Sequence, residues 1–174
     1  MSARIERLVT SGTFSLDGGT WDVDNNVWIV GGDDEVVVID PAHDPDDIAS
    51  AVGRRTVRAI LLTHGHDDHI RAAVDAAQLL RAPVLLHPAD RMLWDAVHPT
   101  APDGEISDGE RFSVAGIELE AVHTPGHSPG STSFVAAALG AVFTGDTLFK
   151  GGPGATGRSY SDFPTIIASI RDRL

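Results

Sequence analysis

Two aliphatic runs of four residues, Val36–Ile39 and Ala59–Leu62, both stop abruptly on polar residues. Short, continuously apolar runs of this kind suit strands buried on both faces, and they fall far below the roughly 18 residues that span a bilayer. The first ends at Asp40-Pro41, where proline cannot carry a ladder further. Between the runs, Asp44–Val52 carries Pro45 in a first-turn position and apolar spacing suited to a short helix. The second run belongs to a strand over Val57–Thr63 that delivers the chain to His64. The pattern is β-α-β.

Upstream, Arg4–Val9 and Asn26–Gly31 read as strands, with a turn at Leu16-Asp17-Gly18-Gly19 between them. Downstream, Ile70, Ala73, Val74, Ala77 and Leu80 recur at i+3 and i+4, which predicts one amphipathic helix over Asp68–Leu80. Val84–Leu86 reads as a strand, Pro88–Val97 as a second helix and His98–Gly109 as a Pro/Gly/Asp-rich loop. Strands follow at Arg111–Val114 and Ile117–His123, then a hairpin from Ser131–Ala138 and Gly140–Thr144. A glycine-rich loop over Lys150–Asp162 leads to a helix over Pro164–Leu174. Two β-rich halves with interspersed helices imply a layered α/β architecture with mixed sheets, and 174 residues suit a single domain over residues 1–174.

Composition narrows the chemistry. There is no cysteine, which removes disulfides, thiol nucleophiles, iron–sulfur clusters and zinc–thiolate sites, so any metal must be held by histidine and carboxylate. Thirteen basic residues face 25 acidic ones, and a net charge of −12 repels nucleic acid and anionic membrane surfaces. The N-terminus alternates charge with apolar residues and lacks the apolar core of a secretory signal, so the cytoplasm is the expected compartment.

The segment Leu62-Thr63-His64-Gly65-His66-Asp67-Asp68-His69 places three histidines within six residues, directly after a buried strand and before a helix. Residues two apart in extended chain point the same way, so His64 and His66 can share one metal. Asp68 and His69, on the first helical turn, can reach a second site close by, the arrangement used in two-metal hydrolysis.

This segment resembles the His-x-His-x-Asp-His motif of the metallo-β-lactamase superfamily. The resemblance extends to the apolar strand ending in Asp40-Pro41, to Thr124-Pro125-Gly126-His127-Ser128-Pro129-Gly130-Ser131, and to Phe143-Thr144-Gly145-Asp146-Thr147-Leu148-Phe149. The last two blocks are most similar to the glyoxalase II-like, hydroxyacylglutathione hydrolase-like branch. The resemblance implies a four-layer αββα sandwich with the metals at one edge between the sheets. It also implies that His64, His66 and His127 bind the first metal, Asp68 and His69 the second, and that Asp146 bridges them. Such ligands suit two Zn²⁺, or Fe or Mn²⁺, and Asp40 is expected to orient a ligand histidine.

The implied activity is metal-dependent hydrolysis of an acyl thioester. Two cations lower the pKa of a shared water from about 15.7 towards about 7. The resulting bridging hydroxide is the nucleophile, with Asp68 orienting it. Thiolate leaves without a strong general acid. Lys150, the only lysine, with Arg158 and Tyr160, lies in the glycine-rich loop where related enzymes contact the thiol carrier, and a cation there suits a carboxylate. A small-molecule thioester is thus the expected partner. His43, His87, His98 and His123 lack ligand spacing and read as structural or solvated.

The family pattern supplies one more metal-2 histidine from a turn beyond Leu174, and the last helix stops there without a C-cap glycine. The expectation is a fold lacking its last strand and helix. Two alternatives follow from the resemblance. One is a mono-iron, persulfide-dioxygenase-like enzyme using His64, His127 and Asp146. The other is a binding or scaffold protein with an incomplete second metal site.

Overall fold

In the computed structural model, which describes residues 2–174, the chain opens with a hairpin of two thirteen-residue strands, β1 (Arg4–Leu16) and β2 (Gly19–Gly31). They pair antiparallel from Arg4↔Gly31 to Leu16↔Gly19. The hairpin closes at Asp17 (φ 50°) and Gly18 (φ 77°), two left-handed residues whose turn matches the strand twist. Both arms run well past the expected Arg4–Val9 and Asn26–Gly31. The added half, with its Ser, Thr and Gly, has no strict alternation in sequence and is held by this turn and its ladder.

β3 (Glu35–Ile39) pairs antiparallel with β2, and β4 (Thr56–Leu61), β5 (Val84–Leu86) and β6 (Gly104–Glu105) follow in parallel. The resulting six-stranded sheet has the order β1-β2-β3-β4-β5-β6. Helix α1 (Pro45–Val52) crosses from β3 to β4. Its first turn is capped by Asp44, whose carboxylate accepts from the Asp47 amide at 3.1 Å, and Gly53 ends it at φ 68°.

The helix expected over Asp68–Leu80 is divided into α2 (Asp67–Ile70) and α3 (Ala73–Leu80). α2 buries Asp68, His69 and Ile70 and α3 buries Ala73 and Ala76, and the chain turns at Arg71 and Ala72 between them. The second expected helix is likewise shorter: a 3₁₀ turn at Pro88–Asp90 runs into α4 (Arg91–Asp95).

β7 (Arg111–Val114), β8 (Ile117–His123), β9 (Thr132–Ala136) and β10 (Ala141–Phe143) form a second, antiparallel sheet in the order β10-β9-β8-β7. A two-stranded ribbon, β11 (Leu148–Phe149) and β12 (Gly152–Pro153), folds part of the glycine-rich loop. The chain ends in α5 (Phe163–Arg173), capped by Asp162, which accepts from the Thr165 amide at 2.9 Å.

Alternation along β3 and β4 creates two cores. Val36, Val38 and Ile60 face the helices with Ile48, Val52, Ala73, Ala76 and Trp94, while Val37, Ile39, Ala59 and Leu61 face Leu119, Ala121, Phe134 and Phe143 of the second sheet. Each fully buried Val, Leu, Ile or Phe side chain among them contributes about 1.5–3 kcal/mol. The two cores stack helices on the first sheet and the first sheet on the second, in keeping with the αββα sandwich that the resemblance implies. α5 seats Ile166 against Gly126, whose φ of 134° admits no side chain without collision with the Ile166 backbone. Among the described residues, no helix is long and apolar enough to cross a membrane.

Candidate metal centre

β3 and β4 end side by side, with Ile39 opposite Leu61, so their polar continuations meet. The Asp40 amide donates to Leu61 O at 3.1 Å, and the Asp40 carboxylate accepts from Thr63 N at 2.7 Å and Thr63 Oγ1 at 2.6 Å. The Thr132 amide then donates to Thr63 O at 2.7 Å, which ties the first sheet to β9 of the second. The two sheets therefore converge where the His64–His69 segment begins.

The structure gathers the residues of the three motif blocks at this edge. His64, His66 and His127 offer ligand atoms within 4.8 Å of one another, and so do Asp40, His64 and His69. Three of the four histidines turn Nε2 inward because Nδ1 is engaged outside. Nδ1 of His127 donates to Ala155 O at 2.8 Å, Nδ1 of His69 faces Asp40 Oδ2 at 3.0 Å, and Nδ1 of His64 lies 3.1 Å from Thr63 Oγ1. His66 instead presents Nδ1, 2.9 Å from His127 Nε2. Asp146 joins the two sets: its Oδ1 lies 3.4 Å from His69 Nε2 and its Oδ2 lies 3.5 Å from His127 Nε2. Asp68 Oδ2 lies 3.5 Å from His69 Nε2 on the same side.

The donor set fits divalent cations. Nε2 of His64, which points into the group of histidines, is buried without a hydrogen-bond partner, an arrangement that is costly unless another ligand takes the lone pair. Burial, then the neighbouring histidines, pushes His64 well below the ordinary imidazole range. Burial, His127 and His69 bring His66 down to about 3. Both are therefore neutral donors at neutral pH. Burial works against charge on His69, but the carboxylates of Asp146, Asp68 and Asp40 outweigh it and raise that group well above its usual range. Asp146 is held at about 2 because the neighbouring His69, then His127 and His66, outweigh the effect of its burial. Negative charge converges on the Asp68–His69 side, and neutral nitrogen on the other.

Two polar residues that carry no sequence motif complete the arrangement. Asn25, in the middle of β2, donates Nδ2 to Asp68 Oδ2 at 2.9 Å and lies 3.1 Å from His69 Nε2. Its Oδ1 meets His43 Nε2 at 3.0 Å, so His43 braces the site from behind. Asp90, fully buried, accepts from Gly65 N at 2.8 Å, Ser128 Oγ at 2.6 Å and Gly130 N at 2.6 Å. The only hint of Asp90 in the sequence is the pair of glycines it faces.

A cavity of about 270 Å³ opens beside the cluster, walled by Phe14, Trp21, Val23 and Arg158 over His66, Asp68, His127 and Asp146. The Arg158 guanidinium stacks 3.9 Å from the Trp21 ring centroid. Asp17 at the hairpin tip accepts from Ser159 N and Oγ, fastening the hairpin over this loop. Lys150 lies elsewhere, in a separate groove of about 240 Å³ on the Asp40–His69 side. Tyr160 is 57% exposed and lines neither cavity. The other histidines make local contacts: His98 Nε2 meets Ile70 O, and His87 stacks on His123, whose Nε2 meets Pro129 O.

Comparison with known proteins gives the same picture. Residues 20–174 match the family model of the Metallo-beta-lactamase superfamily. Hydroxyacylglutathione hydrolase GloC of Haemophilus influenzae is 31% identical over 160 residues, which cover 82% of this chain and 76% of that protein. Among solved structures, BLEG-1 B3 metallo-beta-lactamase superposes with a TM-score of 0.80 at 26% identity, covering 95% of this chain and 85% of that one. TTHA1623, in a di-iron-bound form, gives 0.71 at 29% identity, covering 84% and 79%.

Proposed function

The chain belongs to the metallo-β-lactamase superfamily, and on that footing we propose that it is a metal-dependent hydrolase of an acyl thioester. The observation that carries this reading is Asp146, whose two oxygens face two different histidine groups and so join them into one centre. His64, His66 and His127 would hold one cation, Asp68 and His69 the other, with Asp146 shared. Two bound cations would supply Lewis acidity and an activated water.

The protein's own groups do the rest. Asp68, buried and held by Asn25, borders the cavity where it accepts a hydrogen bond from the attacking water and orients it. Asp40 holds His69 in one tautomer and one ring orientation. Phe14 and Trp21 exclude bulk water from one side, and Arg158 offers the charge to hold an anionic group of the substrate. A thiolate departs without a proton donor, which suits a site whose histidines are committed to other contacts. Kinship with GloC, a hydroxyacylglutathione hydrolase by name, supports a thioester, and the di-iron relative supports a paired centre.

The test is to load the purified protein with Zn²⁺, Fe²⁺ or Mn²⁺ and follow thiol release from a panel of acyl thioesters. Oxygen consumption with a glutathione persulfide is measured in parallel. Thiol release without oxygen uptake supports the proposal. Oxygen uptake by a protein holding one iron assigns the chain to the dioxygenase reading instead.

A further inference from the structure

We infer that Asp90 is a positioning residue for the metal-binding histidines, a clamp that fixes the His64–His66 loop against the His127 loop. The inference rests on reading those three histidines as one cation group. Asp90 belongs to neither loop. It sits at the end of the 3₁₀ turn Pro88–Asp90, and the residues it grips are 25, 38 and 40 positions away in sequence.

Each grip falls beside a ligand. Gly65, whose amide donates to Asp90 Oδ2, lies between His64 and His66. Ser128, whose hydroxyl donates to the same oxygen, directly follows His127, and Gly130 donates its amide to Oδ1. Ser128 is tied in turn to Ser131, with 2.8 Å between their hydroxyls. Both oxygens of one carboxylate are thus filled from two separate loops.

The two glycines show how closely the loops approach. A Cβ on Gly65 would come within 2.9 Å of Leu93 Cβ and 3.1 Å of Asp90 Cβ and O. A Cβ on Gly130 would meet Asp90 Cγ at 2.7 Å and its backbone N at 2.8 Å. The chain has been kept bare on both sides of Asp90, which permits contacts of hydrogen-bond length from both amides. A buried carboxylate with three donors holds geometry rather than moving charge, and no substrate cavity described above includes it. Outer contacts of this kind typically alter cation affinity by about 10–100-fold.

The experiment compares the full chain with Asp90→Asn, Asp90→Glu and Ser128→Ala. Cation affinity is measured by competition with a chromogenic chelator, and ligand geometry by the visible spectrum of the Co²⁺-loaded protein. Asn is expected to bind about 10–100-fold more weakly with a shifted Co²⁺ spectrum, because its NH₂ opposes an incoming donor. Glu keeps the charge but adds a methylene where contacts are already tight, and it too is expected to shift the spectrum. Ser128→Ala removes one donor and leaves Asp90 in place, so it reports even where the Asp90 variants do not fold. Its expected loss is about tenfold. Wild-type affinity and spectrum in Ser128→Ala, or in a folded Asp90→Asn with only its thermal stability reduced, overturns the inference. If the wild-type chain itself binds no cation, the metal-centre reading fails instead, a distinct outcome.

Discussion

His66 Nδ1 lies 2.9 Å from His127 Nε2, although 61 residues separate them in the chain. Nδ1 of His127 is committed to Ala155 O, so the facing Nε2 presents a lone pair. Two such buried nitrogens, with the orphaned Nε2 of His64 beside them, form a three-nitrogen cup that a cation satisfies. Replacing His127 with Ala removes one wall of the cup. Cation affinity should fall by more than about 100-fold, beyond the cost of losing an outer contact. Equilibrium dialysis with Zn²⁺ measures it, and binding at wild-type strength would remove His127 from the centre.

Asp40 acts on the other group. Its backbone is left-handed at φ 51°, which Asn tolerates, so Asp40→Asn preserves the turn while weakening the acceptor for Thr63 and His69. Stability should drop by about 1–3 kcal/mol from the disturbed buried network, and kcat/KM by about 10–100-fold. Denaturant unfolding and steady-state kinetics read the two effects separately. A variant with full activity would show that His69 needs no external orientation.

The buried histidines set the pH response of the metal-stripped protein. His66, held down to about 3, binds its proton in the unfolded chain from about pH 6.5 but not in the folded one, so stability is lost as pH falls from about 6.5 to about 3. Asp146, depressed to about 2, adds a further loss as pH falls from about 4 towards 2. His69 has the opposite sign: raised in the folded state, it contributes stability that is full below about 6.5 and is lost as pH rises through its folded value. Melting temperature against pH should therefore peak near pH 6.5, and His66→Asn should flatten the acidic limb. A curve level from pH 6.5 to 5 would contradict the burial of neutral histidine.

Arg158 stacks on Trp21 at the cavity wall and makes no contact with the cation group that would tie it to the chemistry itself. Arg158→Ala should raise KM for a thioester carrying a carboxylate about tenfold and leave kcat nearly unchanged, the signature of uniform binding. Lys150→Ala, in the separate groove, should leave that KM alone. Equal effects of the two variants would mean that the substrate spans both sides of Asp146.

Much of this site could be read from the chain, because its ligands lie in contiguous blocks at strand ends. The buried runs announced β3 and β4, and the polar residues that stop them announced the edge where Asp40 and His64 meet. Asp90 and Asn25 were not legible. Each is a lone polar residue whose role comes from partners that only the tertiary fold brings near, at separations of 18 to 44 residues. The break between α2 and α3 was not legible either, because helical periodicity runs unbroken from Ile70 through Leu80. Lys150 and Arg158 are near in sequence yet lie in different cavities, since the β11–β12 ribbon folds part of the loop that carries both.

The sharing of Asp146 between two cation groups is tested most directly by titrating the metal-stripped protein with Zn²⁺ while recording thiol release from an acyl thioester. Activity is expected to rise with the second equivalent and to level off at two per chain, and to be absent in Asp146→Asn at any loading. Full activity at one equivalent, or none with two bound, would contradict a paired centre acting as a thioester hydrolase.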